Sequence, residues 1–154
     1  MTAREKQVVR ESFDSLRGVA GPLSLLFYGR LFELEPGLRP MFRGDIAQQG
    51  RKLMEMLSAV VDNLDRLETL TSTLHALGRR HVSYGVVAEH YGVVERALLW
   101  SLGHALEANF DEEARAAWST AIRFVSAGMQ AGAVSYPSTP AEAAPTRALS
   151  PPRP

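Results

Sequence analysis

A stripe of leucines that ends in a histidine is the feature that most constrains how this chain can fold. Leu67, Leu70, Leu74 and Leu77 are separated by alternating steps of three and four residues, and a further step of four reaches His81. This spacing predicts a helix whose apolar face points into the protein and carries the histidine with it. An imidazole buried without a partner costs free energy. His81 is therefore either hydrogen-bonded in the core or bound to a metal.

The composition excludes several classes of function. The chain has 154 residues, enough for one domain with a real core. Its 17 basic and 17 acidic residues cancel, so no broad attraction to nucleic acid or to an anionic membrane is expected. It has no cysteine, which excludes disulfides, thiolate nucleophiles, iron–sulfur clusters and zinc–thiolate sites.

Helical patterns follow one another along most of the chain, and strand signals are nearly absent. Thr2 with Glu5 reads as a capping box, Asp45 as the N-cap of a third helix, and residues 111–113 place acidic charge at the start of the last helix. These signals predict an all-α fold of about seven to eight helices. The N-terminus lacks an apolar signal-peptide core, and no apolar run reaches the roughly 20 residues of a membrane span, which predicts a cytoplasmic protein.

The composition changes near the C-terminus. Six of the nine prolines lie between Pro137 and Pro154, mixed with alanine, serine and threonine. Such a segment has little apolar surface to bury and cannot continue a helix. We therefore expect one domain over residues 1–132 and a disordered tail over residues 133–154.

Three polar side chains occupy positions that the helical period assigns to the core. Tyr28 shares a face with Leu25 and Phe32, Gln49 lies on an apolar stripe of the third helix, and His81 ends the leucine stripe. Each one alone fits a hydrogen-bonded core residue. Three such groups on three apolar faces could instead converge on one ligand pocket. Periodicity leaves both interpretations open.

The set of candidate ligands limits which metal could be bound. A single inward histidine, without paired carboxylates or a second histidine at the right spacing, does not make a zinc or non-haem iron site. One histidine is sufficient as the proximal ligand of a haem, because the porphyrin supplies the other four nitrogens.

The chain resembles a globin from Thr2 to about Gly132. Residues 77–81 (LGRRH) with residues 84–87 (YGVV) are similar to the proximal segment of neuroglobin and of related bacterial single-domain globins. Residues 26–32 (LFYGRLF), Pro36 and Phe42 resemble the second helix and corner of bacterial haemoglobins and flavohaemoglobins. Gln49 begins a segment like the distal helix, and the interval of 32 residues from there to His81 is typical of the group.

The resemblance implies haem b as the cofactor and His81 as the ligand of its iron. It implies a distal side, where a diatomic gas binds, lined by Tyr28, Gln49 and Leu53. Glutamine is a poor haem ligand, which predicts five-coordinate ferrous iron. The other implied cofactor contacts are Phe42 against the porphyrin, Lys52 and Arg80 near the propionates, and Val86.

The function implied by the resemblance is reversible binding of oxygen, and of other diatomic gases such as carbon monoxide and nitric oxide, for storage or transport. Oxygen sensing and nitric oxide dioxygenation are alternatives. The dioxygenase would need a separate reductase, because no G-x-G-x-x-G fingerprint accompanies the globin-like segment. A third alternative, from another class, is a haem-free all-α interaction module.

Overall fold

A computed structural model describes residues 1–135, so residues 136–154 of the tail expected over 133–154 lie outside this range. The described chain is all-α, as predicted, with no strand among its residues. None of its helices has the length and apolar character needed to cross a membrane. The six α-helices are α1 Ala3–Leu16, α2 Ala20–Leu34, α3 Ile46–Asp62, α4 Thr71–Ser83, α5 Ala88–Leu106 and α6 Glu112–Ser135. Short 3-10 segments join most of them, namely Arg17–Val19, Pro36–Met41, Leu64–Leu70 and Glu107–Asn109.

The helix starts follow the capping signals in the sequence. The Thr2 hydroxyl accepts a hydrogen bond from the Glu5 amide at 3.0 Å, and the Glu5 carboxylate accepts one from the Thr2 amide at 2.8 Å. Asp45 caps α3 by accepting from the Ala47 amide at 3.0 Å. Asp111 accepts from the Ala114 amide at 2.9 Å at the start of α6. Each contact satisfies an amide that the first helical turn leaves without a backbone partner.

The hydrophobic core draws buried side chains from all six α-helices. Trp118 of α6 is only 1% exposed and is the largest fully buried side chain. Its indole nitrogen donates a hydrogen bond to the Ser12 hydroxyl of α1 at 2.8 Å, and that hydroxyl donates to the Val8 carbonyl at 2.7 Å. A buried indole needs such an acceptor, so this polar chain ties α1 to α6 inside an apolar core.

Three local expectations are corrected. The leucine stripe is not one helix, because Leu64–Leu70 forms a 3-10 segment with Arg66 at φ −144° and ψ 51°. Leu25 does not share the buried face of Tyr28: it is 64% exposed, whereas Tyr28 is buried. α6 continues through Ser135, three residues beyond the boundary expected at residue 132.

Replacing Ser12 by alanine tests the polar chain in the core. Ser12→Ala leaves the Trp118 indole N–H buried without an acceptor, which should lower the free energy of unfolding by about 1–3 kcal/mol. Urea unfolding followed by tryptophan fluorescence measures the change. Ser15→Ala is the matched control, because the exposed Ser15 hydroxyl bonds only the Glu11 carbonyl of its own helix. Equal losses in both variants would contradict the role of this hydrogen bond.

Candidate haem site

The position of α4 is set by a close approach to α6. A Cβ atom built on Gly78 would overlap the backbone carbonyl of Met129, and one built on Gly132 would overlap the backbone of His75. On the same face, a Cβ atom on Gly128 would already lie 3.1 Å from the Leu74 Cβ. The absence of side chains at these positions lets the two helix backbones touch. α4 is thereby anchored on α6 one turn before His81.

The His81 ring has a defined tautomer. Its Nδ1 lies 2.8 Å from the Leu77 carbonyl oxygen. A carbonyl oxygen can only accept, so Nδ1 carries the proton and the lone pair of the neutral ring is on Nε2. Burial lowers the pKa of His81, with a smaller contribution from the charge of Arg80, so the neutral form is favoured. The Tyr84 ring, 5.3 Å away between centroids, flanks the imidazole.

A second close crossing positions the opposite side of the site. A Cβ atom on Gly50 of α3 would lie 2.5 Å from the Ser24 hydroxyl oxygen of α2, so only glycine allows this approach. Tyr28 lies one turn beyond Ser24, and Gln49 immediately precedes Gly50. Both side chains are buried, at 6% and 5% exposure respectively. The inward positions predicted for Tyr28 and Gln49 are therefore those observed, and the crossing brings their two helices together.

The Tyr28 side chain sits in a cluster of aromatic rings. Its ring meets Phe42 edge to face at a centroid distance of 5.5 Å, and Phe27 in the same manner at 4.8 Å. Phe32 and Phe42 are 5.4 Å apart. Burial raises the pKa of the Tyr28 hydroxyl above its usual value, so it remains a hydrogen-bond donor. The corner after α2 thus brings Phe42 beside Tyr28, in a dry environment.

Two polar atoms of the site have no partner within residues 1–135. The Tyr28 hydroxyl and the His81 Nε2 make no hydrogen bond there, and both atoms keep some exposed surface. Within the same residues, the fully buried side-chain atom without a partner is Arg30 Nε. α3 and α4 hardly touch each other. A flat group that offers a metal to Nε2 and a ligand to the hydroxyl suits this arrangement. Among the described residues no trio of His, Asp or Glu could hold a metal without such a group.

The other predicted cofactor contacts lie on α3, on α4 and in the loop after α4. Leu53 is half-buried on α3, one turn after Gln49. Val86 is half-buried in the loop after α4, and its amide donates to the His81 carbonyl at 3.0 Å. Lys52 and Arg80 are exposed, on α3 and α4 respectively. The structure describes where these side chains lie, and their contacts with haem stay predictions.

A surface hollow elsewhere is not this site. It has a volume of about 300 Å³ between α5 and α6 and is lined by Tyr91, Glu95, Arg123, Gln130 and small neighbouring residues. The Glu95 carboxylate already accepts hydrogen bonds from Ser119 at 3.0 Å and from Arg123 at 2.9 Å. None of the predicted site residues lines it.

Comparison with known proteins decides the family. The family model described as Globin matches residues 25–129, which include Tyr28, Gln49 and His81. The chain belongs to the globin family. The predicted fold is thereby confirmed, and family membership implies haem as the bound cofactor and a diatomic gas as its ligand.

Curated relatives of this globin include neuroglobins of fish. It is 31% identical to neuroglobin-1 of Oncorhynchus mykiss over 146 residues, covering 86% of this chain and 92% of the relative. The neuroglobin of Danio rerio is 30% identical over the same length, with the same coverage.

Two solved structures share the fold. One is a hexacoordinated haem protein of an anhydrobiotic tardigrade, with a TM-score of 0.79, 16% identity, and coverage of 87% of this chain and 96% of that one. The other is a candidate nitric oxide dioxygenase of Rhodothermus marinus, engineered as a carbene transferase. It has a TM-score of 0.79 and 24% identity, and the match covers 88% of this globin and 94% of that chain. At these identities the likeness shows the fold alone.

Sequence reasoning did not identify the glycines that set both crossings. Gly78, inside α4, permits the close contact with the Met129 backbone. The spacing of four residues between Gly128 and Gly132 places both on one face of α6. That spacing was the available signal for a close helix approach.

A methyl group added at Gly78 should displace α4 from α6. Gly78→Ala introduces a Cβ atom where the Met129 carbonyl lies, and overpacking of this kind typically costs about 1–3 kcal/mol or more. We expect a lower thermal midpoint and weaker haem retention, measured by unfolding and by the Soret absorbance. Gly29→Ala is the matched control, since no atom of a neighbouring residue lies within 4 Å of its Cβ position. In that helix interior, alanine should stabilise by about 0.5–1 kcal/mol. A Gly78→Ala variant as stable as this control would refute the packing account.

Proposed function

We propose that this globin binds oxygen reversibly at a ferrous haem b, as an oxygen store or carrier. The observation that carries the proposal is the Tyr28 hydroxyl, which is protonated, lies in a buried aromatic cluster and has no hydrogen-bond partner within residues 1–135. A phenol hydroxyl that keeps some exposed surface and has no protein partner can donate a hydrogen bond to a ligand that carries an acceptor atom. Oxygen is such a ligand.

His81 would hold the haem. Its Nδ1–H is engaged by the Leu77 carbonyl, which leaves Nε2 as the donor atom and fixes the rotation of the ring. The half-buried Leu77 and Tyr84 limit the access of water on this side. Because Gly78 lets α4 pack closely on α6, the His81 imidazole would stay at a fixed distance from α6.

Tyr28 and Gln49 would act on the bound gas from the other side. Haem supplies a ferrous iron that binds diatomic gases and shifts partial negative charge onto oxygen. The Tyr28 hydroxyl and the Gln49 amide can each donate a hydrogen bond to that charge, whereas carbon monoxide gains less from them. Each bond should contribute about 1–2 kcal/mol. The pair therefore slows the loss of oxygen and favours it over carbon monoxide.

Apolar and charged groups would complete the site. Leu53 and Phe42, both half-buried, would line the haem pocket and reduce the entry of water next to the gas. Val86 would pack on the proximal side, where its amide already bonds the His81 carbonyl. Lys52 and Arg80, both exposed, would pair with the anionic propionates.

Nitric oxide dioxygenation is the alternative for the same distal pair. A donor pair that retains oxygen also prepares it to react with nitric oxide, but repeated turnover requires a reductase after each cycle. We place oxygen binding first because it uses only groups that this chain supplies together with haem.

The absorption spectrum of the haem-loaded protein tests the cofactor and its ligand. We expect a Soret band and a five-coordinate ferrous spectrum, since Gln49 is a poor ligand for iron. His81→Ala should remove or shift that band, and added imidazole should restore it. His104→Ala, at an exposed histidine of α5, should leave the spectrum unchanged. A six-coordinate ferrous spectrum would disprove the coordination prediction, and an unchanged band in His81→Ala would end the assignment of the ligand.

Oxygen dissociation rates test the distal pair. Tyr28→Phe and Gln49→Leu each remove one donor with little change in volume, so oxygen should leave about tenfold faster from each variant. Stopped-flow replacement of oxygen by carbon monoxide measures the rate. Tyr84→Phe removes a hydroxyl near His81 on the other side and should leave the rate within about twofold of wild type. If both distal variants release oxygen no faster than this control, the hydrogen-bond account fails.

A further inference from the structure

The Tyr28 side chain is held in place by ring packing alone. Its hydroxyl makes no hydrogen bond within residues 1–135, so no partner atom there fixes the direction in which it donates. The Tyr28 ring packs on Phe27, Phe32 and Phe42, at centroid distances of 4.8, 6.2 and 5.5 Å respectively. Phe27 and Phe32 belong to α2, like Tyr28, whereas Phe42 lies at the corner that follows the helix. The orientation of Tyr28 therefore depends on how firmly that corner holds Phe42.

Arg39 ties the corner together. Its Nη1 donates a hydrogen bond to the Phe42 carbonyl at 3.0 Å, and the Phe42 amide donates one to the Arg39 carbonyl at 3.1 Å. The central carbon of the Arg39 guanidinium lies 5.3 Å from the centre of the Phe32 ring, within the range of a cation–π contact. The rings of Phe32 and Phe42 are themselves 5.4 Å apart. One arginine thus links the backbone of Phe42 to the ring against which Phe42 packs.

The charge of Arg39 is used in these contacts. Arg39 is exposed and forms no ion pair within residues 1–135. A hydrogen bond from a charged donor is stronger than one between neutral groups, and the planar guanidinium can lie on an aromatic face at the same time. Arg43 on the same corner is also exposed, but its side chain has no hydrogen bond, ion pair or ring contact in the described part of the chain.

We propose that Arg39 is a positioning residue of the distal side: it fixes Phe42 against Phe32, and these two rings set the direction of the Tyr28 hydroxyl. The inference rests on the proposed function, because it concerns the donor assigned to the bound gas. A hydrogen bond weakens steeply when its angle falls below about 120°. Without Arg39, the corner that carries Phe42 gains freedom, and a rotation of the Tyr28 ring weakens the bond although the hydroxyl is still present.

The rate of oxygen dissociation from the haem-loaded protein is the first test. In Arg39→Ala, oxygen should leave about fivefold faster than from wild type, because the Tyr28 hydroxyl is less well aligned. Arg43→Ala is the matched control: it removes one exposed arginine from the same corner, with the same change in net charge, and should stay within about twofold of wild type. Equal rates in the two variants would overturn the inference.

A double-mutant cycle shows whether Arg39 acts through Tyr28. In the Tyr28→Phe background, Arg39→Ala should change the rate by less than about twofold, because the donor that it positions is already missing. A further fivefold increase in that background would show that Arg39 acts on the gas or the haem directly, and would refute the positioning role.

The infrared spectrum of the carbon monoxide complex reports the direction of the donor. A hydrogen bond to the gas lowers its C–O stretching frequency. Arg39→Ala should therefore add a second band at higher frequency, at the position found in Tyr28→Phe, from molecules whose hydroxyl has turned away. Arg43→Ala should keep the wild-type spectrum. A spectrum of Arg39→Ala identical to that of wild type would contradict the inference.

The packing of the corner can also be measured without haem. Nuclear magnetic resonance gives the exchange rate of the Phe42 amide and the Overhauser effects between the Tyr28 and Phe42 rings. Arg39→Ala should raise the exchange rate about fivefold and weaken the ring effects, since local opening becomes easier. Arg43→Ala should change neither.

Failure of the proposed function has a different signature. If wild-type protein shows no Soret band, or Tyr28→Phe releases oxygen no faster, the proposed function is wrong, while the resonance data still report on Arg39. If both behave as expected but Arg39→Ala matches Arg43→Ala in oxygen release and in resonance, the positioning inference alone is wrong.

Discussion

The contact of α4 with α6 is the constraint on which the site depends. A helix that carries a metal ligand must be held in a fixed position. Here the backbones of α4 and α6 meet at Gly78 and Gly132. Glycine in a helix interior costs about 1 kcal/mol relative to alanine. The close contact offsets this cost by fixing α4 without help from α3. The space between α3 and α4 therefore does not have to be filled by side chains.

The crossing of α2 and α3 complements this arrangement on the other side. Gly50 against Ser24 brings two helices close at one point, and beyond that point they carry Tyr28 and Leu53. The side chains around Tyr28 are aromatic and pack edge to face. Rings of this kind fill volume while leaving one polar tip, the hydroxyl, at the boundary. The packing therefore keeps the Tyr28 hydroxyl protonated and able to donate a hydrogen bond, because burial opposes ionisation of the phenol.

Local signals in the sequence predicted local structure well. The caps at Thr2 and Asp45 act through neighbouring residues, and the structure has both, together with the predicted acidic start of the last helix. The inward positions of Tyr28 and Gln49 also followed from the helical period. The period failed at Leu67, where the chain changes direction and 3-10 geometry replaces the α-helix. Gly78 could not be interpreted from its own helix, because its partner lies on α6, far along the chain. The roles of the site residues toward haem came from resemblance to globins, since no local pattern specifies a cofactor.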